Sequence, residues 1–148
     1  MEQARLSGYW WVKLYGPDGV LKESREGKNV VTTNGKEALA SLLASNLNSG
    51  TTNTFQYVAI GTDATAEAAA QTALLSEASR HTGTVSYISG AIYQVTATFA
   101  AGSGTGAIVE YGLFNSNSAG TMLTRDTESA INKGASDTLT VVHQVTIG

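Results

Sequence analysis

The sequence predicts a mainly β fold: a β-sandwich of the Greek-key or jelly-roll type, with one helix packed on it and an N-terminal hairpin or arm. Three observations predict it. Runs rich in β-branched and aromatic residues recur at Phe55 to Ile60, Glu77 to Ser89, Ala91 to Ala101, Ala107 to Phe114, Thr121 to Ser129 and Thr138 to Ile147. Gly90, "AGSGTG", "NSNSAG" and "NKGASD" stand between them as turn material. Only one stretch has a helical period.

The chain begins with "GYWWVKLYGPDGVLKES", which reads as a β-hairpin because Pro17 presets a turn and Asp18-Gly19 supplies the positive φ it needs. Side chains alternate along a strand, so Tyr9 and Trp11 point to one side and Trp10 to the other. A short run from Asn29 to Thr32 leads into "TTNGKEALASLLASNLNSG", where Asn34 and Glu37 have the spacing of a capping box. Leu39, Leu42, Leu43 and Leu47 then fall on one stripe, predicting a helix from about residue 35 to 47 that lies on a sheet. In "AIYQVTATF" Tyr93, Val95, Ala97 and Phe99 share the apolar face, opposite Ile92, Gln94, Thr96 and Thr98. "TLTVVHQVTI" likewise sets Leu139, Val141, His143 and Val145 on one face. Residues 1–28 are read as the hairpin or arm and residues 29–148 as the sandwich domain.

Charged residues make up only 14% of the 148, against about 25% in an ordinary soluble domain, so polarity is carried by Thr, Ser, Asn and Gly. Nine basic and twelve acidic side chains form no clustered positive field, which argues against nucleic acid as a direct partner. With no cysteine there is no disulfide, thiolate nucleophile or Cys-type zinc site. No apolar run approaches the roughly 18 residues of a spanning helix, and "MEQARLSGYWW" has no basic start with a long apolar stretch, so neither a membrane nor an export address is expected.

"YVAIGTDATAEAAAQTALLSE" has the outline of a nucleotide site: a β-branched run, Gly61, then an alanine-rich stretch. A phosphate cradle needs several amides aimed at one point and a Gly-rich or Gly-Lys-Ser/Thr sequence to aim them. Here one glycine is followed by Asp63, so a structural turn is the better reading. His81 and His143 lack ligand-spaced neighbours and read as satisfied strand histidines, not as metal ligands or bases. Glu77 with Arg80, and Arg125 with Glu128, read as structural ion pairs or solvated faces. No catalytic, metal or cofactor site is expected. An enzyme is the least favoured class.

The order "NVVTTNGKEALASLLAS", "YVAIGTDATAEAAAQTALLSEASR" and "VEYGLFNSNSAGTMLTRDTESAINKGASDTLTVVHQVTIG" resembles the capsid decoration (cement) proteins of tailed bacteriophages, and more loosely domains of tail-fibre and tail-tip proteins. The shared features are an Asn-Gly helix, an aromatic-x-x-Ile-Gly-Thr turn, Leu-x-x-Glu-x-x-Arg, Glu-x-Gly-Leu-Phe and a terminal Ile-Asn-Lys-Gly-x-x-Asp-Thr-Leu-Thr-Val. Glu128 stands where an aromatic or apolar residue is expected, and His143 where tryptophan is common. The resemblance implies a non-enzymatic β-sandwich made in the host cytoplasm. It would be bound, usually as a homotrimer, to the outer surface of the virion head, where it clamps neighbouring major capsid subunits. The alternative is a tail-fibre, tail-tip or baseplate module that binds a host receptor or glycan. Tyr9, Trp10, Trp11, Lys13, Arg25 and Lys28 lie outside the resemblance and are the expected contact with the capsid or a neighbouring subunit.

Overall fold

The structure is a computed structural model that describes residues 5–44, 54–90 and 92–147, the side chains of residues 40–44 excepted. Among the described residues the fold is mainly β, with nine antiparallel strands and one short helix. The strands are β1 (Leu6–Tyr15), β2 (Leu21–Val31), β3 (Tyr57–Gly61), β4 (Glu77–Thr82), β5 (Thr84–Ser89), β6 (Ile92–Phe99), β7 (Gly106–Phe114), β8 (Met122–Lys133) and β9 (Thr138–Ile147); α1 spans Thr33–Ala44. They form one sheet in the order β4-β3-β7-β8-β2-β1-β9-β6-β5.

The sheet curls until its two parts face each other. Trp10 on β1 stacks on Tyr111 of β7 with ring centroids 5.2 Å apart, although β1 and β7 stand three places apart in the strand order and are not neighbours. His81 on β4 meets Phe99 of β6 edge-on at 4.7 Å. Between the parts lie Val12, Leu14, Val58, Ile60, Val95, Leu113, Ile131 and Val141, all buried. Burial of this apolar surface is the main stabilising contribution, and the Trp10–Tyr111 stack adds about 0.5–1.5 kcal/mol beyond it.

Two strand segments change partner where the sheet bends. β2 pairs with β1 from Leu21 to Asn29, then with β8 through Val30↔Arg125 and Val31↔Thr124. The run expected as one strand from Glu77 to Ser89 is divided at Gly83: Thr82 pairs with Tyr57 on β3, Thr84 with Thr96 on β6. A β-carbon at Gly83 would collide with the Val95 side chain and sit 3.1 Å from the carbonyl oxygens of both Gln56 and Thr96. Only glycine lets the chain pass between these strands.

The N-terminal hairpin forms as expected, closed by Gly19 N to Gly16 O and Gly16 N to Val20 O, each 3.0 Å. It does not project as an arm. β1 pairs with β9 along its whole length, Leu6↔Ile147 to Tyr15↔Thr138, and with β2 on its other side, because Trp10, Val12 and Leu14 alternate toward the core. "AGSGTG" and "NKGASD" are crossings between the two parts of the sheet and not hairpin loops, since β6 is not paired with β7 nor β8 with β9.

The helix starts two residues before the expected position. Thr32, fully buried, accepts the Gly35 amide at 2.9 Å through its hydroxyl oxygen and donates that hydroxyl to the Met122 carbonyl, so Thr32 and not Asn34 is the cap. A threonine tied to β8 fixes where the helix sits on the sheet. Ala38 packs on the core and Leu39 is half-buried. Leu42 and Leu43 fall outside the described side chains, and Leu47 and Ala91 outside the described residues.

Candidate functional site

The place where a phosphate would sit beside Gly61 is taken by the protein's own carboxylate. Glu110 on β7 accepts the Ser76 amide at 2.7 Å and the Leu75 amide at 3.0 Å. A side chain on Gly61 would collide with that carboxylate and with the Ser76 carbonyl. Arg125 on β8 reaches the same carboxylate with Nη2 at 2.8 Å and Nε at 3.1 Å, both residues fully buried. Its Nη1 donates to the Thr65 carbonyl at 2.9 Å and to Gln71 Oε1 at 3.0 Å. The alanine-rich segment is thus an irregular strap held on the sheet by Glu110 and Arg125. Gly61 is not a turn, as the sequence suggests, but the last residue of β3, opposite Glu110 on β7 and Glu77 on β4.

The neighbouring motifs hold the β7–β8 loop and the underside of the strap. Arg80 binds Glu77 with two bonds of 2.6 and 2.9 Å, lies 3.7 Å above the Phe114 ring and donates to the carbonyls of Ser116 and Ala119. The expected Glu77–Arg80 ion pair forms because a bulge at Ala78 puts both on one side of β4: Gly61 faces Glu77 and Ala59 faces Arg80. Leu74 packs with Phe114, Met122 and Ala59 beneath it. Arg125 does not pair with Glu128; it turns to Glu110, while Glu128 lies beside Gly27.

His81 is satisfied, its Nε2 2.7 Å from Ser103 Oγ. His143 is not. It is wholly buried, neither ring nitrogen has a partner, and burial lowers its pKa to about 4, so it is neutral at pH 7. Asp126, opposite Tyr111 in the β7–β8 pair, is also buried with an unpartnered Oδ2. Burial first, then Glu67 and Glu128, raise its pKa to about 8. Among the described residues, no group of three or more His, Cys, Asp or Glu has metal-ligand geometry.

The six expected interface residues divide between two faces. Tyr9, Trp11 and Lys13 share the outer face of β1, with Lys28 opposite Tyr9 on β2. Trp10 is core. Arg25 follows the inward alternation of β2 opposite Val12, where it donates to Ser129 Oγ at 2.8 Å and to the Ser24 carbonyl. On the outer face Tyr9 and Trp11 are half-buried, their ring centroids 4.7 Å apart.

That face carries a groove of about 440 Å³ lined by Trp11, Lys13 and Tyr15 of β1, Thr140, Val142 and Gln144 of β9, and Gln94 of β6. Gln144 Nε2 donates to Gln94 Oε1 at 2.9 Å across the β6–β9 pair. The β6 and β9 contributions were not found from sequence. A signal existed: no Asp, Glu, Lys or Arg stands between His81 and Glu110, or after Asp137. A groove turned to water with Lys13 as the single charge in its lining is a compositional departure that marks a contact surface. No protein-family model, curated protein or solved structure matches the chain.

Proposed function

We propose that the protein is a non-enzymatic structural component of a tailed-phage virion that decorates the outer surface of the capsid and stabilises it by clamping neighbouring major capsid subunits. In this reading the curled sheet is a Greek-key or jelly-roll sandwich, and the protein assembles as a homotrimer on the shell. The observation that carries the proposal is the order of sequence motifs from the Asn-Gly helix to the terminal strand. Their internal roles fit a passive building block, because Gly61, Glu110 and Phe114 seat a strap on the sheet, and Glu77 with Arg80 fixes the β7–β8 loop. Trp10 and Arg25 are withdrawn from the expected contact.

The shell contact is assigned to the β1–β2 hairpin end, where Val20 and Leu21 are 61% and 48% exposed next to Lys22. Adjacent apolar side chains held in water at a rigid turn suit insertion into a partner surface. Mass spectrometry of purified virions, with cryo-electron microscopy of the head, tests the reading. Hundreds of copies in trimeric clusters on the head are expected. A handful of copies confined to the tail would instead indicate the fibre, tip or baseplate module.

A further inference from the structure

We infer that the groove across β1, β9 and β6 is a binding site for a short oligosaccharide. The argument begins with what the face lacks. Among the described residues, the exposed large apolar side chains, Val20, Leu21, Leu75, Val85, Tyr87, Ile88 and Ile147, lie at tips, loops and edges, and none lines the groove. No contiguous patch of large exposed apolar side chains, the usual mark of a protein-docking face, covers it. Here Trp11 and Tyr15, with Val142 opposite Trp11, supply the apolar surface, flanked by the amides of Gln94 and Gln144 and the hydroxyl of Thr140.

Those groups match the two surfaces of a pyranose. A sugar ring presents a C–H face, which an aromatic ring covers at little cost in conformational entropy because Trp and Tyr have only two side-chain torsions. Trp11 and Tyr15 stand on alternate outward positions of the rigid central strand β1, which is paired on both sides. The ring's edge presents hydroxyls, each both donor and acceptor. The Gln144–Gln94 bond uses one amide hydrogen and fixes both side chains. It leaves Gln94 its NH2 and Gln144 its carbonyl oxygen and second hydrogen. Thr140 adds a hydroxyl. The volume falls within the roughly 300–1,000 Å³ of small-ligand clefts.

Lys13 is the single charge in the lining, so a sugar acid would have one place for its carboxylate and a neutral chain would be accepted as well. This inference goes beyond capsid decoration and does not depend on where in the virion the protein sits. It requires only that the outer face point away from the shell, which attachment through the hairpin end permits.

The test is titration of the full chain with maltohexaose, chitotetraose, mannohexaose and sialyllactose, followed by calorimetry and tryptophan fluorescence. Trp10 is buried and Trp11 lines the groove, so the changing emission belongs to Trp11. Saturable binding of at least one probe, with a dissociation constant below about 1 mM, is expected. Trp11→Ala and the double variant Gln94→Ala/Gln144→Ala should each weaken it more than tenfold, with the sialyllactose arm showing whether Lys13 selects an acid. Unchanged circular dichroism qualifies a variant for comparison, and the two variants are independent routes. No saturable binding of any probe, or binding indifferent to both variants, overturns the site. Loss of capsid binding in Trp11→Ala also overturns it, because the face is then a shell contact; loss in Val20→Ser/Leu21→Ser tests the decoration proposal instead.

Discussion

Arg125 and Glu110 meet at 2.8 Å with neither side chain open to solvent. The two charges would be costly apart, but Glu110 also receives two strap amides and Arg125 also donates to Thr65 and Gln71. Every hydrogen bond on this ion pair is therefore one that folds the segment from residue 62 to 76 onto β7 and β8.

Removing one partner leaves the other charged and unpaired. Glu110→Ala should cost about 3–5 kcal/mol in urea unfolding. It should also make the strap the first site of limited proteolysis. A loss under about 0.5 kcal/mol, the range of a surface change, would mean that water replaces the carboxylate without penalty.

Gly35 stands within the first turn of α1, where alanine ordinarily stabilises a helix by about 1 kcal/mol. A β-carbon there falls 2.6 Å from Leu123 Cα and 2.8 Å from its carbonyl oxygen, and backbone cannot swing aside. The steric effect should win. Gly35→Ala is expected to lower stability by about 1–3 kcal/mol, with a raised midpoint as the contrary result.

The buried ionisable groups set opposite pH dependences. His143 has a folded pKa below its unfolded value, so the unfolded state binds the extra proton and stability falls as pH drops from about 6.5 to about 4, by about 3 kcal/mol in total. Asp126 has a folded pKa above its unfolded value, so its contribution is present at low pH and is lost as pH rises from about 4 to about 8. Between pH 4 and 6.5 the two slopes oppose; from 6.5 to 8 only Asp126 acts, at up to about 1.4 kcal/mol per unit. Thermal midpoints should therefore decline from pH 6.5 to 8 in the parent and stay level in Asp126→Asn. A parent midpoint that climbs over that interval contradicts the assignment.

His143→Phe replaces an imidazole with two orphaned nitrogens by an apolar ring of larger volume. Removing both unpaired polar atoms should leave stability at pH 7 within about 1 kcal/mol or raise it, and should abolish the acid-side loss between pH 6.5 and 4. Retention of that loss in the variant would assign it to another group.

Deleting residues 1–28 should leave no folded core. β1 joins β2 to β9, and Trp10, Val12 and Leu14 fill the centre, so the truncated chain would expose both the β9 edge and the face of Tyr111. Circular dichroism with a cooperative thermal transition in the fragment would show that the sheet closes without its middle strands.

Strand alternation was readable where one face is apolar: Trp10 inward with Tyr9 and Trp11 outward, and the inner rows of β6 and β9, lie as the residue pattern indicates. The helix cap was misassigned because Thr32 is chosen by a tertiary bond to Met122, which local spacing cannot express. The partner of Arg125 was missed for a related reason. Three positions of sequence suggested Glu128, whereas the curl of the sheet delivers Glu110. The groove was half legible, since β1 announces itself through aromatics while Gln94 and Gln144 carry no signature except the charge missing around them.

The crossing at Gly83 has a consequence for how errors are prevented. Residues 77–89 supply both outermost strands, so sliding them by one position along β3 would drag β5 by the same step along β6. Thr82 or Thr84 would then occupy the gap between Gln56, Val95 and Thr96, where no side chain fits. Slippage at either rim is thereby blocked at a point remote from most of the pairs it would disrupt. A single missing side chain acts as the detent that holds two strands in step.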